Sequence, residues 1–217
     1  MAFRRNIEDK LKAWSQSPFR KPLVLRGARQ VGKTTAVKQF AVNYEQFVYL
    51  NLETDDAKSF EGERDIHKIV DRIFFLKDAE KGKADTLIFI DEIQEVPSAL
   101  NMLRYFYEEY PEYHVIAAGS LLESLFDRDV SFPVGRVDYL YMYPFSFDEF
   151  LEALDEKNVL SAYRQVPVPD YAVDKLMQLF HTYTLVGGMP EAVYRYVVTK
   201  DLAQVKPVYD TLLLSYL

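Results

Sequence analysis

Five short apolar runs, rich in β-branched and aromatic residues, are the strongest pattern in the chain. They read "PLVLRG" at 22–27, "QFVYLNL" at 46–52, "TLIFID" at 86–91, "HVIAAG" at 114–119 and "DYLYMY" at 138–143. Nearly continuous apolar runs of this length are typical of strands buried on both faces, as in a parallel sheet. The sequence therefore predicts a parallel sheet whose strands are spread along the chain.

Helical patterns lie between these runs. Thr34 to Asn43 follows the first run, and residues 66–81 predict a helix that ends at Gly82. Pro97 begins a further helix, which Pro111 stops. Alternating strands and helices predict a doubly wound α/β domain.

The pattern changes after Pro144, where the periodicity is helical throughout. The helical segments are "FSFDEFLEAL", "DYAVDKLMQLFHTYTLV" and "PEAVYRYVVTKDLAQVKPVYDTLLLSYL", separated by "RQVPVPD" and "GGMP". The sequence predicts an α/β core over residues 1–150 and a helical subdomain over residues 151–217, with helical character from about residue 145. The last pattern is still apolar at Leu217, so we expect the chain to be cut there or to pack against a further part.

The composition restricts the class of protein. With 49% hydrophobic residues in 217, the chain can bury a sizeable core. It contains no cysteine, which excludes disulfides and thiolate metal sites. The amino-terminal segment is too charged for a signal peptide, and no apolar run approaches the roughly 18 residues that span a bilayer. We expect a soluble, cytoplasmic protein with no membrane partner.

The charge is unevenly distributed. The net charge of −7 argues against nucleic acid as a partner of this segment. Residues 1–40 carry ten Lys/Arg against Glu8 and Asp9, a balance of +8; the remaining 16 basic and 31 acidic residues give −15 for residues 41–217. Ordinary solvated faces and a positive field around one bound anion both explain this difference, and both interpretations stay open.

The stretch "RGARQVGKTT" carries the clearest chemical motif. It fits G-x-x-x-x-G-K-[ST], with a predicted strand before it and a helix after it. The glycines let backbone N–H groups point inward, and the helix directs its positive end at a bound phosphate. Lys33 would neutralise the β- and γ-phosphates, and Thr34 would bind Mg²⁺ through its hydroxyl. The predicted ATP-binding residues of this loop are Gly27, Ala28, Arg29, Gln30, Val31, Gly32, Lys33, Thr34 and Thr35.

An acidic pair follows the third predicted strand. Leu87 to Ile90 would bring Asp91 to the carboxyl edge of the sheet, where ligands bind in such folds. Asp91 is the predicted second protein ligand of Mg²⁺, directly or through water. Glu92 is the predicted catalytic base, which orients and deprotonates the water that attacks the γ-phosphate. The alternative is an acidic pair that merely ends a strand.

The same pair favours ATP hydrolysis over related reactions. A carboxylate directly after the Mg²⁺ ligand argues against simple GTPases, and the sequence has no N-K-x-D guanine motif. A kinase that passes phosphate to a small molecule remains an alternative, but the pair favours water as the acceptor. The predicted cofactors are therefore ATP and Mg²⁺.

Two further residues are candidates for the catalytic set. Ser120 ends the fourth strand; its hydroxyl would contact the γ-phosphate, cap the helix "LLESLF", or do both. Arg136 precedes the fifth strand and would stabilise charge at the γ-phosphate, with a surface arginine as the alternative. Arg128 is a weaker candidate, and Arg104 is expected to be solvated. The three histidines lack ligand spacing, so no structural metal is predicted.

Several stretches together resemble the predicted prokaryotic ATPases of the AAA+ superfamily whose ATPase domain precedes a domain of unknown function. They are "GARQVGKTT", "FVYLNLE", "LIFIDEIQEVP", "AAGSLLESL", "GRVDYLYMYPFSFDEFL" and "GGMPEAV". The resemblance implies a P-loop NTPase with a five-stranded sheet in the order 5-1-4-3-2, flanked by helices and followed by a helical lid. It also implies a C-terminal domain or protein partner.

The resemblance assigns roles to three residues. It makes Ser120 the first sensor and Arg136 a finger-like arginine that acts across a homo-oligomer interface. It also implies that Pro190, in "GGMP", packs on adenine. From the residues alone, "GGMP" is a turn followed by a helix start with proline at the first helical position.

The leading hypothesis is an Mg²⁺-dependent ATPase. The rival is a switch that binds ATP or ADP tightly, turns over slowly and reports its nucleotide state to a partner. A third hypothesis, a DNA-associated motor, is disfavoured by the net charge of this segment.

Overall fold

A computed structural model describes residues 3–120 and 135–214 of the chain. Within these residues, five parallel strands form one sheet in the order β2-β3-β4-β1-β5, which is the predicted order read from the other edge. All five predicted strands are confirmed; the three inner strands of the sheet are almost entirely buried, whereas the two edge strands are only partly buried. The strands are β1 (Leu23–Arg26), β2 (Gln46–Asn51), β3 (Thr86–Asp91), β4 (His114–Ala118) and β5 (Asp138–Tyr141).

Helices cover both faces of the sheet, so the α/β core has three layers. Alternate residues of β3 point to opposite faces, as the two-residue repeat of a strand requires. Ile88 and Ile90 pack in one apolar cluster with α3 and α4, whereas Leu87 and Phe89 pack in another with α1 and α2. These helices are α1 (Ile7–Ser15), α2 (Lys33–Phe40), α3 (Ile66–Leu76) and α4 (Pro97–Glu109).

The carboxyl-terminal part is helical, as predicted from the sequence. Its helices bury two apolar clusters, one around Phe150 and Val193 and the other around Leu160 and Leu176. No helix in the described part of the chain is long and apolar enough to cross a membrane. The helices are α5 (Phe147–Ala153), α6 (Lys157–Tyr163), α7 (Asp170–Val186), α8 (Pro190–Thr199) and α9 (Lys206–Leu214).

The chain divides into two compact units, an α/β unit over Ile7–Met142 and a helical unit from Tyr143 onward. Residues 3–6 belong to the helical unit, where the buried Arg5 guanidinium pairs with Glu149 at 3.1 Å. The sequence places the boundary at residue 150, but that residue lies inside α5, which is one continuous helix. The function of the helical unit as a lid stays a prediction.

The helix boundaries differ from the predictions in several places. The helix predicted over residues 66–81 ends at Leu76, because Asp78 adopts a positive φ of 50°. The segment from Pro190 onward is not one helix, since Lys200, at φ 55°, ends α8 before a short 3₁₀ turn and α9. Two helices, α1 and α6, were not predicted at all.

Candidate nucleotide-binding site

Most of the residues predicted to act on the nucleotide meet at one edge of the sheet. The loop that contains Gly27 begins where β1 ends, and Asp91 is the last residue of β3. Strand β4 lies between β3 and β1, and Ser120 follows it by two residues. Because all strands are parallel, these residues share the carboxyl edge of the sheet, where ligands bind in open α/β folds.

Two glycines shape the loop after β1. Gly27 has φ 151°, and a Cβ added there would lie 2.3 Å from the carbonyl oxygen of Met142. Gly32 has φ 97° and is the N-cap residue of α2; as a glycine it supplies no side-chain cap to the amino end of the helix. Val31, between them, is fully buried and anchors the loop to the core. The loop thus directs the amino end of α2 at the site, which is the geometry that binds phosphate.

Lys33 is buried, with only 6% of its surface exposed. Its ammonium group donates hydrogen bonds to the carbonyl oxygens of Gly27 and Ala28, at 2.8 and 3.0 Å. These contacts fold the lysine back over the loop, so its charge lies beside the backbone that would surround the phosphates. Ala28, Arg29 and Gln30 are exposed, as is Thr35 on the following helix.

Thr34 and Asp91 are in direct contact. The Thr34 hydroxyl donates to Asp91 Oδ2 at 2.8 Å, and the Tyr49 hydroxyl donates to the same oxygen at 3.3 Å. Burial raises the pKa of Asp91, and the hydrogen bond from Thr34 opposes that shift. Burial, and then the charge of Asp91, raise the pKa of Tyr49 to about 12, so Tyr49 stays a donor at neutral pH.

The Thr34–Asp91 pair fits Mg²⁺. Both groups supply oxygen, which this hard cation prefers, and a buried carboxylate gains from a nearby positive charge. No group of three or more His, Cys, Asp or Glu side chains is placed to hold a metal within residues 3–120 and 135–214. An Mg²⁺ ion held by one carboxylate, one hydroxyl and phosphate oxygens requires no such group.

Glu92 has an unusual backbone conformation. Its φ of 52° and ψ of 46° lie in the left-handed region, which is uncommon for a residue with a side chain. Its carboxylate accepts a hydrogen bond from the Gln94 amide at 2.6 Å. The other amide atom of that side chain, Gln94 Oε1, is buried and has no hydrogen-bond partner among the described residues. Strained backbone of this kind clusters at functional sites.

Ser120 and Arg136 are at opposite edges of the sheet. Ser120 is half-buried at the carboxyl edge, and its role as a sensor stays a prediction because the helix it would cap lies outside the described residues. Arg136 precedes β5, whose first residue, Asp138, pairs with the first residue of β1. Arg136 therefore lies at the amino edge, where it forms a half-exposed ion pair with Glu108 at 3.0 Å.

This placement restricts the role of Arg136. Strand β1 separates the two edges by about 13 Å, so Arg136 is remote from the loop of its own chain. A finger role is compatible only with the site of another subunit, and that role stays a prediction. Arg128, the weaker candidate, lies outside the described residues, and Arg104 is exposed on α4.

The "GGMP" segment has a clear structural role within the helical unit. Gly187 ends α7 with φ 72°, and Pro190 is the first residue of α8, as the residue pattern predicts. A Cβ on Gly188 would lie 2.6 Å from the carbonyl oxygen of Phe145. The contact of Pro190 with adenine stays a prediction.

Two residues of the site were missed in the sequence. Tyr49 sits in an apolar strand, where a tyrosine hydroxyl needs a polar partner. A tyrosine in this strand therefore indicates a polar partner, but the sequence does not identify Asp91 as that partner. Gln94 carries no such signal, because a glutamine two residues after the acidic pair is not part of the motifs that predict the site.

A parallel sheet with a glycine loop and buried lysine after β1, and an acidic pair after β3, defines the P-loop NTPases. Residues 19–151, more than half of the chain, match the model of a family described as AAA domain, and the chain belongs to this family. No curated protein matches the chain in sequence.

Solved structures show the same fold. The Walker-type ATPase PABY2304 of Pyrococcus abyssi is 19% identical with a TM-score of 0.61, over 99% of this chain and 74% of that chain. C. elegans PCH-2 is 16% identical with a TM-score of 0.53, over 95% and 69%. A chain of Drosophila ORC bound to DNA is 14% identical with a TM-score of 0.50, over 95% and 66%. At these identities the similarity establishes the fold alone.

The close approach of Gly27 to Met142 gives a testable prediction. We expect Gly27→Ala to lower the free energy of unfolding by about 2 kcal/mol or more, from overpacking together with φ strain. For a chain of this size that corresponds to roughly 4–8 °C in the thermal midpoint. Nucleotide affinity should fall as well, because the loop must move away from the carbonyl oxygen of Met142.

Gly62→Ala is the matched control. Gly62 also has a positive φ, 69°, but no atom lies within 4 Å of the added Cβ, so only φ strain of about 1 kcal/mol is expected. Thermal melts and nucleotide titrations of both variants separate the two effects. Equal losses of stability, or an unchanged nucleotide affinity in Gly27→Ala, would contradict the role given to this contact.

Proposed function

We propose that this protein binds ATP and hydrolyses it in the presence of Mg²⁺. The observation that carries the proposal is the 2.8 Å hydrogen bond between Thr34 and Asp91, which brings two oxygen ligands together beside the glycine loop. Glu92 follows directly, in a strained backbone conformation. Membership of a family of AAA domains supports nucleotide binding.

Each residue has a distinct role in the proposed reaction. Lys33 and the amino end of α2 bind the phosphates, and Mg²⁺, when bound, neutralises charge that develops on them. Thr34 and Asp91 would hold the ion. Glu92 accepts a proton from the attacking water, and Ser120 contacts the γ-phosphate.

The direct test is steady-state release of inorganic phosphate by the wild-type protein. We expect turnover with Mg²⁺-ATP, little turnover with EDTA, and weaker turnover of GTP. Titration with a fluorescent ATP analogue on the same preparation should show saturable binding. Absence of both binding and turnover would contradict the proposal.

A second candidate function is the slow nucleotide-dependent switch. The observation in its favour is the 2.6 Å hydrogen bond from Gln94, which already engages the Glu92 carboxylate. A base engaged in this way is compatible with slow turnover. Chromatographic analysis of nucleotide released from the purified, denatured protein discriminates the two, because a switch retains ADP whereas a fast-exchanging enzyme is largely empty.

We also propose that Arg136 acts on the site of a neighbouring copy, since its own site is at the other edge of the sheet. A homo-oligomer, a C-terminal domain or protein partner, and a cytoplasmic location stay predictions.

A further inference from the structure

Tyr49 connects β2 to the acidic residue at the end of β3. In the parallel register of β2 and β3, Tyr49 pairs with Phe89, which lies two residues before Asp91. Tyr49 is therefore close enough for its hydroxyl to contact the Asp91 carboxylate. The hydroxyl donates to Asp91 Oδ2 at 3.3 Å. Thr34, which lies on helix α2, donates to the same oxygen at 2.8 Å.

Three neighbours hold the Tyr49 ring in this position. Phe47 stacks beside it with 6.2 Å between ring centroids, and Phe89 packs against it at 5.5 Å. The Lys38 ammonium group lies 4.0 Å from the ring centroid, a cation–π contact that comes from α2. These contacts restrict the orientation of the ring and therefore the direction of its hydroxyl. The hydrogen bond to Asp91 thus costs little additional side-chain entropy.

The Asp91 carboxylate is consequently fixed from several sides. Oδ2 accepts from Thr34 and Tyr49, and Oδ1 accepts from the Glu92 backbone amide at 3.2 Å. A carboxylate has about four acceptor positions, so three are used and the remaining capacity is left for a cation. Groups that hydrogen-bond to a metal ligand orient it, and their removal typically lowers metal affinity by roughly 10–100-fold.

We propose that Tyr49 is a positioning residue that orients Asp91 and thereby sets the affinity for the divalent cation that accompanies the nucleotide. Tyr49 does not touch substrate in this role; it acts through Asp91. The inference rests on the proposed function, because it assumes that Asp91 binds Mg²⁺ together with a nucleotide.

Tyr49→Phe tests the inference by binding rather than by turnover. The ring and its packing are kept and only the hydroxyl is removed. We would titrate wild type and variant with a fluorescent ADP analogue, once in saturating Mg²⁺ and once in EDTA. The expected result is an unchanged Kd in EDTA and a Kd in Mg²⁺ raised by about tenfold, the lower end of the range for outer-shell partners, because the bond is single and long.

Tyr44→Phe is the matched control. Tyr44 is also a half-buried tyrosine whose hydroxyl is hydrogen-bonded, in its case to His114 Nδ1 at 2.5 Å at the amino edge of the sheet. Its removal should leave the ratio of the two Kd values at the wild-type level. Thermal melts of all three proteins check that the fold is intact.

The outcomes are separable. The inference is overturned if Tyr49→Phe leaves both Kd values unchanged, or if it raises the Kd in Mg²⁺ and the Kd in EDTA by the same factor. Either result leaves the proposed ATPase unaffected. If the wild-type protein itself binds nucleotide no better with Mg²⁺, the Mg²⁺ dependence in the proposed function fails and the inference fails with it.

Discussion

Replacing Glu92 with glutamine is expected to lower ATP turnover by about 10²–10⁴-fold, the usual contribution of a general base, and to leave nucleotide affinity unchanged. The substitution removes the proton acceptor but keeps the size and shape of the side chain. The amide oxygen of the new glutamine can still accept the hydrogen bond that Gln94 donates to Glu92. The geometry of the turn should therefore survive, and only the chemistry should be lost.

Glu95→Gln is the control for this experiment. Glu95 ends the 3₁₀ turn Ile93–Glu95 that follows Glu92, is exposed, and accepts a long contact of 3.5 Å from Gln94. It changes the charge by the same amount at nearly the same place. Phosphate release and binding of a fluorescent ATP analogue would be measured for both variants. A Glu92→Gln protein that turns over at the wild-type rate would show that the base is another residue.

The sheet could be predicted from the sequence because its strands carry an unambiguous signal. Residues such as Ile88 and Phe89 are fully buried on opposite faces, so the whole run must be apolar. The strand order, by contrast, follows from no local pattern; it came from the resemblance to the ATPase family. The observed order agrees with it.

The missed helices had weaker signals. Helix α1 buries only Ile7, Leu11 and Trp14, in a segment rich in charged residues. Helix α6 has seven residues, like α5, but its N-cap residue, Glu156, makes no side-chain capping bond, whereas a capping box marks the start of α5. The end of α8 depends on Lys200 in a left-handed conformation, which lysine adopts rarely and which no sequence rule anticipates.

The candidate site could be predicted in part. Lys33, Thr34 and Asp91 were found because fixed spacing along the chain, together with parallel strands, brings them to one edge. Tyr49 could not be assigned to Asp91 without the register of β2 against β3. The contact of Gln94 with Glu92 depends on the left-handed backbone conformation of Glu92. The sequence pattern does not predict that conformation.

One of the stretches that carry the family resemblance has a structural explanation. In "YPFSFDEF", Ser146 and Glu149 form a capping box at the start of α5. Glu149 also accepts from the Asn6 backbone amide at 2.6 Å and pairs with the buried Arg5. A buried carboxylate needs such partners. The stretch thus specifies how residues 3–6 join the helical unit.

Lys33→Met is expected to weaken the binding of ATP and ADP by about 10²–10³-fold. Hydrogen bonds to charged groups contribute about 1.5–3 kcal/mol each, and the ammonium would make more than one to the phosphates. Methionine is chosen because Lys33 is buried, with 6% of its surface exposed, and an apolar side chain of similar length keeps the packing. Only the charge and its hydrogen bonds are removed.

Lys33 also donates to the carbonyl oxygens of Gly27 and Ala28 in the structure, and loss of these bonds could by itself alter the loop. Thermal melting of Lys33→Met measures that contribution separately from binding. Lys10→Ala is the control for net charge, since Lys10 is exposed on α1. Titration with fluorescent ATP and ADP analogues should show wild-type affinity for Lys10→Ala. Wild-type affinity in Lys33→Met would mean that the glycine loop is not the phosphate site, whatever the match of its sequence.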